Sequence, residues 1–206
     1  MKARDEETRK KEILRYLRYW NEKLDSETEQ WLLKSMHLIR QTARPRKIHQ
    51  SFELEKTSAG LRLTSSSLVL PGKHIDRHLA NCDRAELMAA TLGTEIDLLL
   101  QTTFRRDAAQ AIILDAAANQ YIEEICDELN LEIANHAQQN GYSITTRFSP
   151  GYGDLPLTIQ PDILNILNAT RRIGLTLTES NMLLPQKSVT AIIGLRTIPD
   201  MPNHPR

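Results

Sequence analysis

The densest run of chemistry-bearing residues in the chain is RFSPGYGDLPL, from Arg147 to Leu157. Arg147, read as closing a strand, carries a planar fork that can pair bidentately with a carboxylate. Pro150 stiffens the chain, and Gly151 and Gly153 let backbone amides come close to a ligand. Tyr152 offers a flat face and a hydroxyl, suited to stacking or to lying against a cation. Asp154 can accept from an ammonium or from ribose hydroxyls. Together these groups, Phe148 and Ser149 included in the run, suit a zwitterionic amino acid that carries an adenosine and a positive sulfonium. The plain alternative is a strand-to-helix turn in which Arg147 caps a carbonyl and Tyr152 packs. On the residues alone, both readings stand.

Other clusters are weaker. His74 and His78 are four apart with Asp76 between them, but two histidines without a third ligand at suitable spacing do not make a metal site. A pair of surface histidines is the better reading. Cys82 could approach a redox partner, yet a cysteine before an apolar run usually serves as a small hydrophobe. Trp20 and Trp31 fall on the first helical stretches and suit core or interface. The chain contains no GxxxxGK[ST], GxGxxG, HExxH or GxSxG, which removes the common nucleotide, zinc-protease and serine-hydrolase explanations.

The totals are those of a globular domain. The 206 residues hold 26 basic and 26 acidic side chains, a formal net charge of zero. That argues against broad attraction to nucleic acid or an anionic membrane. Near the N-terminus seven basic residues in the first 18 are interleaved with four acidic ones, the pattern of a solvated helix face. Cys82 and Cys126 form no CxxC pair, and a reducing cytoplasm is the expected compartment. No stretch approaches the roughly 20 apolar residues of a membrane span, and the charged start does not resemble a signal peptide.

The elements that must position the turn follow from periodicity. Ile13, Leu17, Trp20 and Leu24 predict a first helix face. Ser26 with Glu29 has capping-box spacing and opens a second helix striped by Leu32, Met36 and Ile39. Around Pro45 the helical pattern stops, and Ile48 to Leu70 alternates, predicting two or three short strands closed by Pro71 and Gly72. ELMAATLG is either a buried strand or a helical turn. A helix follows from about Thr94. Asp107 to Gln139 carries the longest helical pattern, with Ile112, Ala116, Ile122, Cys126, Leu129 and Ile133 inward and Gly141 as the stop. YSITTRF reads as a strand running into the turn. Pro161 opens a helix that ends at Gly174. LTLTES and SVTAIIGLR read as two strands joined through Pro185. Helices, strands, helices, strands predict an α+β domain: a mostly antiparallel twisted sheet with long flanking helices. A lone βαβ unit survives only around 143–196. Residues 1–45 form the helical part and 46–196 the α+β core of a single domain 1–196, followed by a loose proline-rich tail 197–206.

RFSPGYGD resembles the RxxxGY signature of the activation domain of cobalamin-dependent methionine synthase, the part of that enzyme that binds S-adenosylmethionine. RRIGLTLTESNMLLPQKSVTAIIGL is similar to the next segment of that domain, where a helix ends in glycine before a TES strand and a proline turn. The order and spacing match over roughly Arg147 to Leu195. ILRYLRYW and CDRAELMAATLGTEIDLLL resemble the branch in which the activation domain is a separate polypeptide serving a shortened methionine synthase.

The resemblance implies a reactivation role. S-Adenosylmethionine would be presented so that one-electron reduction of inert cob(II)alamin, unfavourable alone, is drawn forward by irreversible methyl transfer. No protein nucleophile or general base is then needed. Arg147 would grip the donor's carboxylate, and Phe148, Ser149, Pro150 and Gly151 would line the adenosine. Tyr152 matches the signature tyrosine near the methyl donor and the corrinoid. Glu179 and Ser180 match the TES strand beside the cavity. Asp154 belongs to the GYGD of the free-standing branch. Implied partners are a cobalamin-binding methionine synthase and an electron donor such as flavodoxin or ferredoxin. The chain departs from the fused family in lacking the later tyrosine-bearing strand. It also lacks the cysteine-rich C-terminus of some free-standing relatives. Those departures keep a second function open, a docking or assembly partner of a corrinoid protein without donor affinity. A third is a small-molecule methyltransferase on the same fold.

Overall fold

The computed structural model describes residues 5–19 and 24–199. Two helices come first, α1 (Glu6–Tyr16) and α2 (Ser26–Thr42). Three strands follow: β1 (Arg46–Thr57), β2 (Gly60–Leu63) and β3 (Val69–Leu70). Next come the short helix α3 (Lys73–His78), strand β4 (Arg84–Thr91) and helices α4 (Thr94–Arg106) and α5 (Ala108–Gln139). β5 (Tyr142–Ile144) leads through the turn to α6 (Gln160–Leu167) and α7 (Ala169–Ile173). A small hairpin, β6 (Thr176–Leu177) and β7 (Leu183–Leu184), precedes the last strand, β8 (Ser188–Thr197).

The main sheet has six strands in the order β3-β2-β1-β4-β8-β5. Every neighbouring pair in it is antiparallel, including β5 with β8. The expected α+β class and antiparallel sheet are therefore observed, and the βαβ unit around 143–196 is not. A parallel crossover would need β5 and β8 to run the same way, and they do not.

Pleating sends successive side chains of a strand to opposite faces. Leu87, Ala89 and Ile192 join a core beneath α3, α6 and α7, with Phe52, Leu79, Ile163 and Leu167. Met88, Ala90, Ala191 and Ile193 join a second core beneath α1, α2, α4 and α5, with Ile13, Leu32, Ile96 and Leu129. β4 and β8 are thus covered on both faces. This is why ELMAATLG shows no alternation and resolves as a strand.

The longer helices follow their predicted limits, with local corrections. α2 is capped by the carboxylate of Asp25, which accepts from the Thr28 amide at 2.9 Å, so the cap lies one residue before Ser26. α1 ends at Tyr16, and Arg18 takes a left-handed φ of 56°, so the face expected through Leu24 is not one helix. Trp20 lies outside the described residues. Trp31 is half-buried and donates from Nε1 to the Gln110 carbonyl, tying α2 to α5. α5 runs 32 residues, about 48 Å at ~1.5 Å per residue, opened by Asp107 on the Gln110 amide. Ile112 points outward at 60% exposure, against expectation, whereas Ala116, Ile122, Cys126, Leu129 and Ile133 are buried. The single helix expected from Pro161 to Gly174 is broken at Asn168, whose φ of 50° is left-handed. Thr178, Glu179 and Ser180 lie in the turn between β6 and β7 rather than in a strand. Thr197 still belongs to β8, and the tail from residue 200 lies outside the described residues.

Candidate functional site

The site is built where β5 gives way to the turn. Beyond Ile144 the chain rejoins the edge of β8 at one residue, Phe148, which exchanges two backbone hydrogen bonds of 2.9 Å with Ile192. Phe148 then packs into the core under α6, with Tyr152 edge-on to its ring at 5.3 Å and His78 at 5.1 Å. Its neighbour Arg147 necessarily points to the other face, toward α5. There Nη2 donates to Glu123 at 2.8 Å and to Asp127 at 3.0 Å, two carboxylates one helical turn apart. Nη1 of the same guanidinium is buried without a hydrogen-bond partner. A buried charged donor left unpaired is costly. One cation against two anions leaves the cluster a net charge of −1.

The turn closes on itself. The Gly151 amide donates to the Leu155 carbonyl at 2.7 Å, and the Tyr152 and Leu155 amides complete adjacent turns. Gly153 has a φ of 60°, and a Cβ there would stand 2.4 Å from His74 Nδ1, so a side chain would be strained and would have to push the His74 ring aside. Asp154 caps α3: its carboxylate accepts from the Lys73 amide at 2.6 Å and the His74 amide at 3.0 Å. Desolvation pushes its pKa up, but those two amides and the nearby His74 outweigh it and hold the carboxyl below the usual value. Asp154 therefore fastens the turn to the next layer. Tyr152 is 69% exposed, its outer ring face open.

Beside the turn lies a cleft of about 570 Å³. Ser149, Pro150 and Leu157 form one side, and Thr178 and Met182–Leu184 of the hairpin form the other. Its floor is Lys187 and the start of β8, residues 188–190, with Gln160. Gln160 is 4% exposed and fully engaged: Oε1 accepts from Thr190 Oγ1 at 2.5 Å and Nε2 donates to the Asn181 carbonyl at 3.2 Å. Lys187, also on the floor, reaches α5, where it meets Asp115 and Asn119 at 2.7 Å each. Asp115, Asn119, Glu123 and Asp127 thus recur every fourth residue along one ridge of α5, serving Lys187 and then Arg147.

Of the residues singled out by sequence, Ser149 and Pro150 line this cleft. Phe148, Gly151, Tyr152 and Asp154 surround its turn, and Arg147 stands on the α5 side. Glu179 and Ser180 are exposed at the tip of the β6–β7 hairpin, with Ser180 Oγ 2.9 Å from Thr178 Oγ1. Sequence reasoning missed Glu123, Asp127, Lys187 and Gln160. Only the acidic spacing on the long helix hinted at the first two, and nothing local tied them to Arg147.

The remaining candidates have structural partners. His78 Nε2 lies 2.9 Å from the Thr146 carbonyl and 3.0 Å from Thr145 Oγ1, and His74 Nδ1 lies 3.8 Å from Asp154. Among the described residues no group of three His, Cys, Asp or Glu is placed to hold a metal ion. Cys82 packs against the core beside Gly194, and burial, only partly offset by Arg196, pushes its thiol up. Burial pushes the Cys126 thiol up to about 12. Among the described residues no helix is long and apolar enough to cross a membrane.

Comparison with known proteins falls on this part of the chain. Residues 75–197 match the family model described as vitamin B12 dependent methionine synthase, activation domain. A search of curated proteins gives no match. Among solved structures, the crystal structure of the MetH reactivation domain bound to AdoHcy superposes with a TM-score of 0.64 at 18% identity, covering 92% of this chain and 71% of that one. At that identity the likeness speaks for the fold.

Proposed function

Since the chain belongs to the vitamin B12-dependent methionine synthase activation domain family, we propose that it is a reactivation subunit presenting S-adenosylmethionine to a cobalamin-carrying methionine synthase. One observation carries the reading: a guanidinium with one unpartnered nitrogen and two carboxylates meet beside the RFSPGYGD turn. The methyl donor is an amino acid with an ammonium, a carboxylate and a sulfonium, a net cation. The net −1 cluster attracts it, Arg147 takes its carboxylate, and Glu123 and Asp127 receive its ammonium. Tyr152 leaves an open ring face for the sulfonium. The adjacent cleft has the volume of an ordinary small-molecule site, wide enough for the nucleoside.

The chain's own work is to bind, orient and keep water from the donor, so that the methyl group faces outward beside Tyr152. Cobalamin, held by the partner, supplies the metal that accepts the methyl group during reductive methylation of cob(II)alamin. Electrons come from a separate donor such as flavodoxin or ferredoxin, and the compartment is the cytoplasm. The protein acts as a methyltransferase component in complex with its partner.

A second reading has its own support. Arg147 Nη2 is already satisfied within the chain, as a purely structural arginine would be. On that reading the protein docks on the corrinoid module without binding the donor. The two separate in one assay. Oxidised, inactive methionine synthase is mixed with this protein, S-adenosylmethionine and a reductant, and the corrinoid spectrum is followed. Return of the methylated spectrum, lost with Arg147→Ala, supports reactivation. A stable complex with no spectral return supports docking alone.

A further inference from the structure

The longest strand of the sheet is paired along only part of one side. β4 accompanies β1 from Arg46 to Glu53, whereas β2 covers its other side only from Leu54 to Thr57. That pairing stops because Ser65, with a left-handed φ of 61°, turns the chain away just past β2. In an antiparallel ladder the peptide groups of alternate residues point to opposite sides. The Leu54 amide donates to the Asp83 carbonyl, ahead of β4, and the Glu53 carbonyl accepts from the Thr64 amide, just past β2. Even-numbered residues of β1 therefore bond toward β4, and odd-numbered ones turn the other way. Lys47, His49 and Ser51 thus present their N–H and C=O groups along a free edge, and among the described residues no other backbone bonds to them there.

Such an edge is a template for one more strand, and proteins commonly guard it with charged side chains. Here those side chains are drawn aside: Lys47 pairs with Glu132 of α5, and His49 with Glu86 of β4. The surroundings select the kind of strand. Arg46 opens the stretch, its Nη1 3.5 Å from where a Cβ on Gly174 would stand, and Arg171 and Arg172 fill the last turn of α7 just before that glycine. All three arginines are exposed, and among the described residues none meets a carboxylate; Arg172 reaches only the Leu167 carbonyl, at 3.4 Å. A second copy laid on this edge would bring the same arginines with it, and like charges repel. We infer that the free edge of β1 takes a β-strand from an acidic segment of another protein. The main chain of that segment bonds Lys47, His49 and Ser51, and its carboxylates face Arg46 and the arginines of α7. The inference goes beyond donor binding and does not depend on it, since neither Arg147 nor the cleft takes part.

The whole chain is isotope-labelled at its amides and their hydrogen exchange is followed, alone and with two soluble peptides. One peptide alternates glutamate with valine, the other lysine with valine. Alone, the Lys47, His49 and Ser51 amides should exchange much faster than those of Ile48, Gln50 and Phe52, which β4 holds. The glutamate peptide should bind saturably and slow the first three, and the lysine peptide should not. Ser51→Pro removes an N–H that the chain itself does not use and gives up only the 3.3 Å bond from Arg84 Nε to the hydroxyl. It should keep its melting temperature and bind the glutamate peptide roughly tenfold or more weakly. Arg46→Glu, at an exposed position, should also weaken that binding and carries the test if Ser51→Pro does not fold. Slow exchange of the three amides in the free monomer, equal binding of the two peptides, or no binding of the glutamate peptide overturns the inference. Protection that grows with protein concentration alone gives the edge to a second copy and overturns it too.

Discussion

At the scale of single residues, the turn's two charged groups have different partners within the chain, Asp154 on the start of α3 and Arg147 on α5. Asp154 holds the fold: it anchors the first amides of α3 from 80 residues away along the chain. Asp154→Ala should speed hydrogen exchange at the Lys73 and His74 amides while leaving exchange in α5 unchanged. Because its folded pKa is depressed, the stability it lends is present above about 3.8 and is lost as pH falls through the lower folded value. Arg147 was legible as a carboxylate-pairing residue from its type and place. Its partners were not, since Glu123 and Asp127 are 24 and 20 residues away and only folding brings them to it. Glycines were readable for a related reason: a backbone position with positive φ constrains residue type locally, whereas an ion pair across layers leaves no local mark.

At the scale of elements, α5 is the bar against which everything else is set. Its ridge of Asp115, Asn119, Glu123 and Asp127 meets the β8 and turn side. Around the helix, Glu124 meets Arg9 of α1 and Arg40 of α2, with Gln120 donating to the same carboxylate. Burial pushes the Glu124 carboxyl up, but Arg9, Gln120 and Arg40 together bring it below its ordinary value. Glu124→Ala leaves two part-buried guanidiniums facing each other and should cost about 3 kcal/mol in urea unfolding, with α1 losing exchange protection first. Long elements such as α2 and α5 were legible because their 3.6-residue period repeats for several turns. The β6–β7 hairpin was not: with strands of two residues, no period exists to detect. Nor was the break at Asn168, since ATRRI continues an apolar pattern while one left-handed residue redirects it.

At the scale of the whole molecule, two cores on opposite faces clamp the central strands β4 and β8, and the candidate cleft lies between the turn, the β6–β7 hairpin and the start of β8. His49 of β1 and Glu86 of β4 pair across the sheet on the α5 face. The hydrogen bond to Glu86 raises the His49 pKa, against the effect of burial. A raised folded pKa means the stability is present in full below about 6.5 and is lost as pH rises through the higher folded value. The urea midpoint should therefore decline as pH rises above about 6.5, and His49→Gln should flatten that decline. The global antiparallel plan was readable from the succession of helical and alternating segments, but the bridge that returns Phe148 to Ile192 of β8 was not. The central claim is that the Arg147 cluster holds the methyl donor. It is tested most directly by calorimetric titration of S-adenosylmethionine into the protein and into Arg147→Lys, which keeps the charge facing Glu123 and Asp127 but loses the planar fork. The account predicts saturable binding to the native protein, weakened at least about tenfold in a variant that melts at the same temperature. Equal binding to both, or none to the native protein even with its methionine synthase partner present, would contradict it.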